Sequence, residues 1–204
     1  MTGKDITDHM LIDLSKKVDR SIKDFEGSPY LSPDFVSGEV YGPKKKFTGL
    51  LLRYNIYNDN IEFMQKGTTY ALYAEPRIVK VLLGNEVYVV EKIEIKGKMG
   101  YGYFARVDSG KVTLLAKKIV HFTEEKAPKA LEAAATPAIF TRAQDVFYYR
   151  IGDVEISKVG SLKNFIESLP DKKEDVSNYA KKEKLGTKNE SDLVTLVKYY
   201  NSLP

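Results

Sequence analysis

A chain of 204 residues can bury one sizeable core, and 43% hydrophobic with 29% charged residues is the balance of an ordinary folded domain. The formal net charge of +4 is mild and bases alternate with acids along most of the chain, which argues against a nucleic-acid footprint. The absence of cysteine excludes disulfides, thiolate metal sites and a cysteine nucleophile.

Residues 5–25 predict an amphipathic helix. Leu11, Leu14, Val18 and Ile22 recur at three- and four-residue steps, while Asp13, Lys16, Lys17, Asp19 and Arg20 take the other faces. Gly27-Ser28-Pro29 stops it. The expectation is a lid that packs its apolar stripe against a sheet.

Strand signals dominate residues 35–156. After a short strand over 35–41, closed by Gly42-Pro43, residues 49–64 predict a hairpin. Leu50, Leu52, Tyr54 and Ile56 share one face, because strand side chains alternate. A two-residue Asp59-Asn60 turn would pair Ile56 with Phe63 and Asn58 with Ile61. A four-residue loop over 57–60 would pair Ile56 with Ile61 and Tyr54 with Phe63. Both registers keep the apolar residues together. Further strands are predicted at 70–73, at 78–83 turning at Gly84-Asn85 into 86–90, at 93–95, and at 101–107. The last of these turns at Asp108-Ser109-Gly110 into 112–120. Residues 124–137 carry two prolines and an alanine run, and read as an excursion loop. Residues 147–151 and 154–156 predict a final hairpin about Gly152-Asp153.

The tail predicts three helices. Ser161 caps a segment ended by Pro170, and Asp171-Lys172-Lys173-Glu174 has a capping-box pattern. Leu185-Gly186 suits a helix stop. Asn189 opens a helix with Leu193, Leu196, Val197 and Tyr200 on one face.

Several of these segments carry a resemblance. Gly27-Ser28-Pro29-Tyr30-Leu31, the block from Leu52 to Phe63 with Arg53-Tyr54-Asn55-Ile56-Tyr57 at its centre, Phe147-Tyr148-Tyr149, and the stretch from Leu193-Val194 to Tyr199-Tyr200-Asn201 resemble a family of uncharacterised exported proteins of Bacteroidetes-type bacteria. The resemblance implies a removed signal peptide and residence in the periplasm, at the cell envelope or outside the cell. It implies no catalytic residues. The start Met1-Thr2-Gly3-Lys4-Asp5 fits either a mature exported chain or a cytosolic one, and no apolar run approaches membrane-spanning length.

Little in the chain points to chemistry. His9 and His121 are the only histidines, and neither has acidic partners at a metal-binding spacing. Gly97-Lys98-Met99-Gly100-Tyr101-Gly102 has spaced glycines but no following helix to present to a phosphate, and reads as a hairpin loop. Glu62 and Asp59 near Arg53 read as a surface ion pair beside a turn. A tyrosine platform flanked by Lys44-Lys45-Lys46 and Lys117-Lys118 would suit single-stranded nucleic acid, but the scattered acids oppose it.

The sequence therefore predicts an α+β protein, mainly an antiparallel β-meander forming a curved sheet, half-barrel or barrel. An N-terminal helix occupies 1–27, the β domain 28–157 and a three-helix appendage 158–204. The expected function is a non-enzymatic exported binding or interaction module. Its partner is an unknown protein, glycan or apolar ligand, with no nucleic acid, cofactor, metal or transmembrane segment expected. The alternatives are a carrier of a lipid or other apolar ligand in a half-barrel whose concave face is lined by Tyr, Phe and Leu, and a carboxylate-dependent hydrolase using carboxylates such as Glu62. The face opposite Leu52, Tyr54 and Ile56 nominates Arg53, Asn55 and Tyr57 as the ligand or partner surface.

Overall fold

A computed structural model of the chain describes residues 15–17, 25–95, 97–125 and 136–204. Its strands are β1 (Ser15–Lys17), β2 (Phe25–Glu26), β3 (Val36–Tyr41), β4 (Lys46–Asn55), β5 (Asn60–Gln65), β6 (Thr68–Tyr73), β7 (Lys80–Leu83), β8 (Glu86–Ile95), β9 (Lys98–Asp108), β10 (Val112–Lys117), β11 (Val120–Thr123), β12 (Ala138–Arg142), β13 (Val146–Ile151) and β14 (Ser157–Lys158). The helices α1 (Leu162–Ser168), α2 (Lys173–Glu183) and α3 (Glu190–Ser202) follow. Eleven strands form one antiparallel sheet in the order β1-β6-β5-β4-β3-β7-β8-β9-β10-β13-β14, and β11-β12-β2 form a second, small sheet. The α+β antiparallel meander is thus present, as a curved sheet and not a closed barrel.

One face of the large sheet carries two cores. In the first, Leu52, Tyr54, Ile61, Phe63 and Leu72 of β4–β6 meet Tyr88, Tyr103 and Ala116 of β8–β10. The sheet curls far enough for opposite parts of its own face to touch. The Tyr103 hydroxyl donates to the Leu72 carbonyl at 3.3 Å, and the Tyr54 ring lies 5.1 Å from Tyr88 and 6.2 Å from Tyr103, both edge-on. In the second core, Val112 and Leu114 of β10 pack under Phe165, Val176, Leu193, Leu196 and Tyr200 of the helices. The helical tail is therefore a cover for one half of the sheet. It is keyed to that sheet by Asn201, whose amide accepts from the Val112 N–H at 2.8 Å and donates to the Val112 carbonyl at 2.9 Å. An asparagine on a helix here does what a neighbouring strand would do.

Several expectations change. The stripe Leu11, Leu14, Val18 and Ile22 lies outside the described residues, but Ser15–Lys17 is a strand paired with β6, so a continuous helix over 5–25 does not form. The central hairpin takes a third register, with Asn55 opposite Asn60, Tyr54 opposite Ile61 and Leu52 opposite Phe63. The reason is local. Asn55 Oδ1 accepts from the Asn58 N–H at 3.0 Å, and Asp59 alone in the loop takes a positive φ, of 49°, where a type I′ turn needs two such residues. The apolar side chains stay on one face, because the register moves by an even number.

Residues 86–95 form one strand, and of the glycines near its turn only Gly97 has positive φ, of 78°. Gly100 and Gly102 sit within β9, not in a loop. The strand expected over 112–120 ends at Lys117, and Val120 begins the small sheet. The chain from 126 to 135 lies outside the described residues, and β12 beyond it was not anticipated. The partner of β13 is Ser157–Lys158, three residues later than expected. Helix α2 is preceded by Lys172, in the left-handed region and without a side-chain cap, while Asp171 accepts from the Tyr200 hydroxyl at 2.8 Å. Ser161 and Asn189 cap α1 and α3 as expected, accepting from the N–H groups of Asn164 and Asp192.

Candidate functional site

Three groupings surround the Arg53–Asn60 hairpin. The first is a buried polar network on the face opposite Tyr54. Arg53 Nε and Nη2 both donate to Glu62 Oε2, at 2.9 and 2.6 Å, and Nη1 donates to the Pro33 carbonyl at 3.0 Å. Asn55 Nδ2 donates to Glu62 Oε1 at 3.1 Å. The guanidinium lies over the rings of Tyr30 and Phe35, 3.8 and 4.4 Å from their centroids. Arg53 is 8% exposed, Asn55 4% and Glu62 1%.

The segment 28–35 covers these groups because it runs alongside the end of β4. Leu31 N–H donates to the Tyr54 carbonyl, and Ile56 N–H to that of Pro29. The surface ion pair expected here is thus a buried one, closed over by a strap the hydrophobic pattern does not reveal. Glu62 spends its oxygens on Arg53 and Asn55 and faces no open cleft.

The second grouping is centred on Asp59, at the hairpin tip. Its carboxylate accepts from the Tyr54 hydroxyl at 2.6 Å, from Lys117 Nζ at 2.5 Å and from the Tyr103 N–H at 3.4 Å. Strand β10 pairs with β9 over Ala105–Asp108, so among the described residues the β9 edge at Tyr103 has no strand neighbour on that side, and Asp59 takes that place. Gly102 makes the approach possible. A Cβ there would stand 2.8 Å from both Asp59 Oδ2 and Lys117 Nζ. Burial, and then the negative charge of Asp59, push the Tyr54 and Tyr103 hydroxyls well above the usual tyrosine range. Burial lowers the Lys117 ammonium, while Asp59 opposes that shift. No sequence signal links residue 59 to residue 117. The contact exists only because the sheet curls.

The third grouping is an aromatic shelf. Tyr57, 45% exposed, stands edge-on to Phe140 at 5.2 Å and to Phe122 at 5.8 Å, and Phe122 lies 4.6 Å from Phe140. Phe25 closes the cluster from below at 4.9 Å from Phe140. Gly27, with φ of 75°, lets the chain pass where a Cβ would lie 2.1 Å from the Phe140 carbonyl oxygen. Asn58 and His121, both exposed, flank the shelf in sequence. Phe122 and Phe140 were missed by sequence reasoning, since nothing marks two strands of a separate small sheet as neighbours of a hairpin loop.

Of the three nominated residues, only Tyr57 therefore reaches solvent. No protein-family model, curated protein or solved structure matches the chain.

Elsewhere, a shallow groove of about 580 Å³ between α1 and α2 is lined by Leu162, Ile166, Glu167, Lys173 and Lys181 among others, a mixed and open surface. Among the described residues no group of three or more acidic or histidine side chains could hold a metal ion, and no helix is long and apolar enough to cross a membrane. His9 lies outside the described residues.

Proposed function

We propose that the protein is a non-enzymatic binding module of the periplasm, cell envelope or exterior, and that it engages its partner through the shelf around Tyr57. The observation that carries this reading is the division of the hairpin's polar and aromatic groups. Arg53, Asn55, Glu62, Asp59 and Tyr54 are consumed by contacts with one another, whereas Tyr57 is exposed on a bed of phenylalanines. A tyrosine backed by the buried ring of Phe140 and the half-buried ring of Phe122 offers a large contact area at little entropic cost, the property that enriches tyrosine at binding hot spots. Export rests on the family resemblance.

The contact of Tyr54, Tyr88, Tyr103 and Leu72 across the concave face favours this reading over a carrier that would need that space for a ligand. The partner surface is tested by placing a photo-crosslinking side chain at Tyr57 in the producing organism, with a matched probe at exposed Lys163 on α1. A discrete adduct from position 57, absent from position 163, is expected. Equal labelling at both positions, or none at 57, overturns the assignment.

A further inference from the structure

Among the described residues the two ends of the large sheet are short, with three residues in β1 and two in β14, which offers little backbone for another chain to pair with. The β8–β9 ribbon is different. Strand β7 pairs with β8 only over Glu86–Tyr88, and among the described residues no strand covers that edge beyond Tyr88, although β8 continues to Ile95. The two-residue turn at Gly84-Asn85, with Gly84 at φ of 58°, makes Leu83 and Glu86 a closing hydrogen-bonded pair. Alternation then points the N–H and C=O groups of Val90, Lys92 and Glu94 outward along the uncovered edge. Apolar side chains are exposed beside it, with Ile95 45% and, across the ribbon, Met99 56% and Tyr101 42% exposed.

We infer that this edge pairs with the same edge of a second copy of the chain, antiparallel about a two-fold axis at Ile93. The charge pattern selects both the occupant and the register. In an isologous antiparallel pair the outward groups must face outward groups, so the axis passes through a residue and not between two, and the outward charged pair Lys92 and Glu94 tells the positions Lys92, Ile93 and Glu94 apart. An axis at Lys92 sets lysine against lysine, and one at Glu94 sets glutamate against glutamate. An axis at Ile93 sets Lys92 opposite Glu94 twice, as hydrogen-bonded pairs, with Ile93 against Ile93 on the other face. Of these three registers, only the one centred on Ile93 makes the edge complementary to itself in charge. Among the described residues the Lys92 ammonium pairs with Glu155, at 3.0 Å, with side chains 47% and 69% exposed, so it is available to a partner at small cost. Glu91, beside it, is committed to Arg150 at 2.7 Å and steadies the base of the ribbon. This inference stands on the ribbon and is independent of the reading of Tyr57.

Sedimentation equilibrium of the full chain over a wide concentration range tests it. A monomer–dimer equilibrium is expected. Lys92→Glu and Glu94→Lys, each of which opposes like charges twice, should each weaken the dimer about tenfold or more. The double exchange Lys92→Glu/Glu94→Lys should restore it, and Glu155→Gln should leave it intact. Amide exchange at Val90, Lys92 and Glu94 should slow with rising protein concentration. A wild-type chain that stays monomeric at the highest concentration overturns the inference. So does a dimer that either single exchange leaves unchanged, or that the double exchange fails to recover while all variants keep the wild-type thermal midpoint. Loss of Tyr57 crosslinks with the dimer retained would count against the binding module alone.

Discussion

The two halves of the large sheet are held by different means. Under α1–α3 the core is made of apolar side chains from short, regular helices packed on Val112 and Leu114, with Leu193, Leu196, Val197 and Tyr200 of α3 on the expected stripe. In the curled half, the apolar residues are as well buried, but polar side chains decide how strands far apart in sequence meet. Asp59 ties the β4–β5 tip to β9 and β10, and the Arg53–Glu62 pair fastens the 28–35 strap over the opposite face. One parallel joins the halves. In each, a short polar side chain stands in for a missing strand: Asn201 at Val112, and Asp59 at Tyr103. Apolar burial supplies stability without direction, whereas these hydrogen bonds choose one arrangement among several that bury the same area.

The largest expected effect separates the halves most sharply. Arg53→Ala would leave Glu62 buried without its partner and should cost about 3–5 kcal/mol in a denaturant titration. Replacing both by apolar residues of similar volume, as Arg53→Met with Glu62→Leu, should recover most of that loss. A single Arg53→Ala variant as stable as wild type would mean that the strap does not close over the pair.

Asn201→Ala removes both hydrogen bonds to Val112 and leaves those backbone groups part-buried. A loss of about 1–3 kcal/mol is expected. Faster amide exchange should appear at Val112 and spread to α3, without change at Tyr103. Exchange that rises equally at both sites would show the halves to be one unit in which the two polar keys are not local.

The third effect is silent at neutral pH. Tyr54 and Tyr103 hold their protons well above the ordinary tyrosine pKa of about 10, chiefly because burial penalises the phenolate. Tyr88 is shifted the same way by burial and by its bond to Glu86. Above pH 10 or so the unfolded chain releases these protons and the folded chain does not, so stability present below that pH is lost as pH rises. Lys117, lowered by burial, works in the opposite direction but is one group against three. In the helical half Tyr200 is pushed up to about 12 by burial and by Asp171. An alkaline titration should therefore show part of the tyrosinate absorbance appearing only together with loss of circular dichroism. Smooth ionisation of all 14 tyrosines in a protein that remains folded would contradict the curled core.

The strands β3 to β10 and β13, the turn at Gly84-Asn85, the caps at Ser161 and Asn189 and the buried stripe of α3 were legible in the sequence, whereas β1, β2 and β12 were not. Each depends on residues within a few positions of one another: side-chain alternation, turn chemistry, a hydroxyl or amide reaching a nearby N–H. The N-terminal stripe shows the limit of such patterns, since helical spacing at 11–22 did not prevent Ser15–Lys17 from completing a sheet edge. The hairpin was legible as a hairpin, but its register was set by Asn55 turning onto the Asn58 N–H, a choice that apolar alternation leaves open.

The candidate site was legible in one residue of three. Local order alone determined that this chain builds an antiparallel sheet followed by helices, and that the apolar side chains Leu52, Tyr54 and Ile56 of the hairpin and Leu193, Leu196, Val197 and Tyr200 of α3 share a face. The tertiary structure decided that Arg53 and Asn55 are interior, that Tyr57 rests on Phe122 and Phe140, and that Asp59 reaches Lys117. The contacts of Tyr57 and Asp59 join residues about 60 to 80 positions apart. Their energies depend on the curvature of the whole sheet, which no short stretch of sequence encodes.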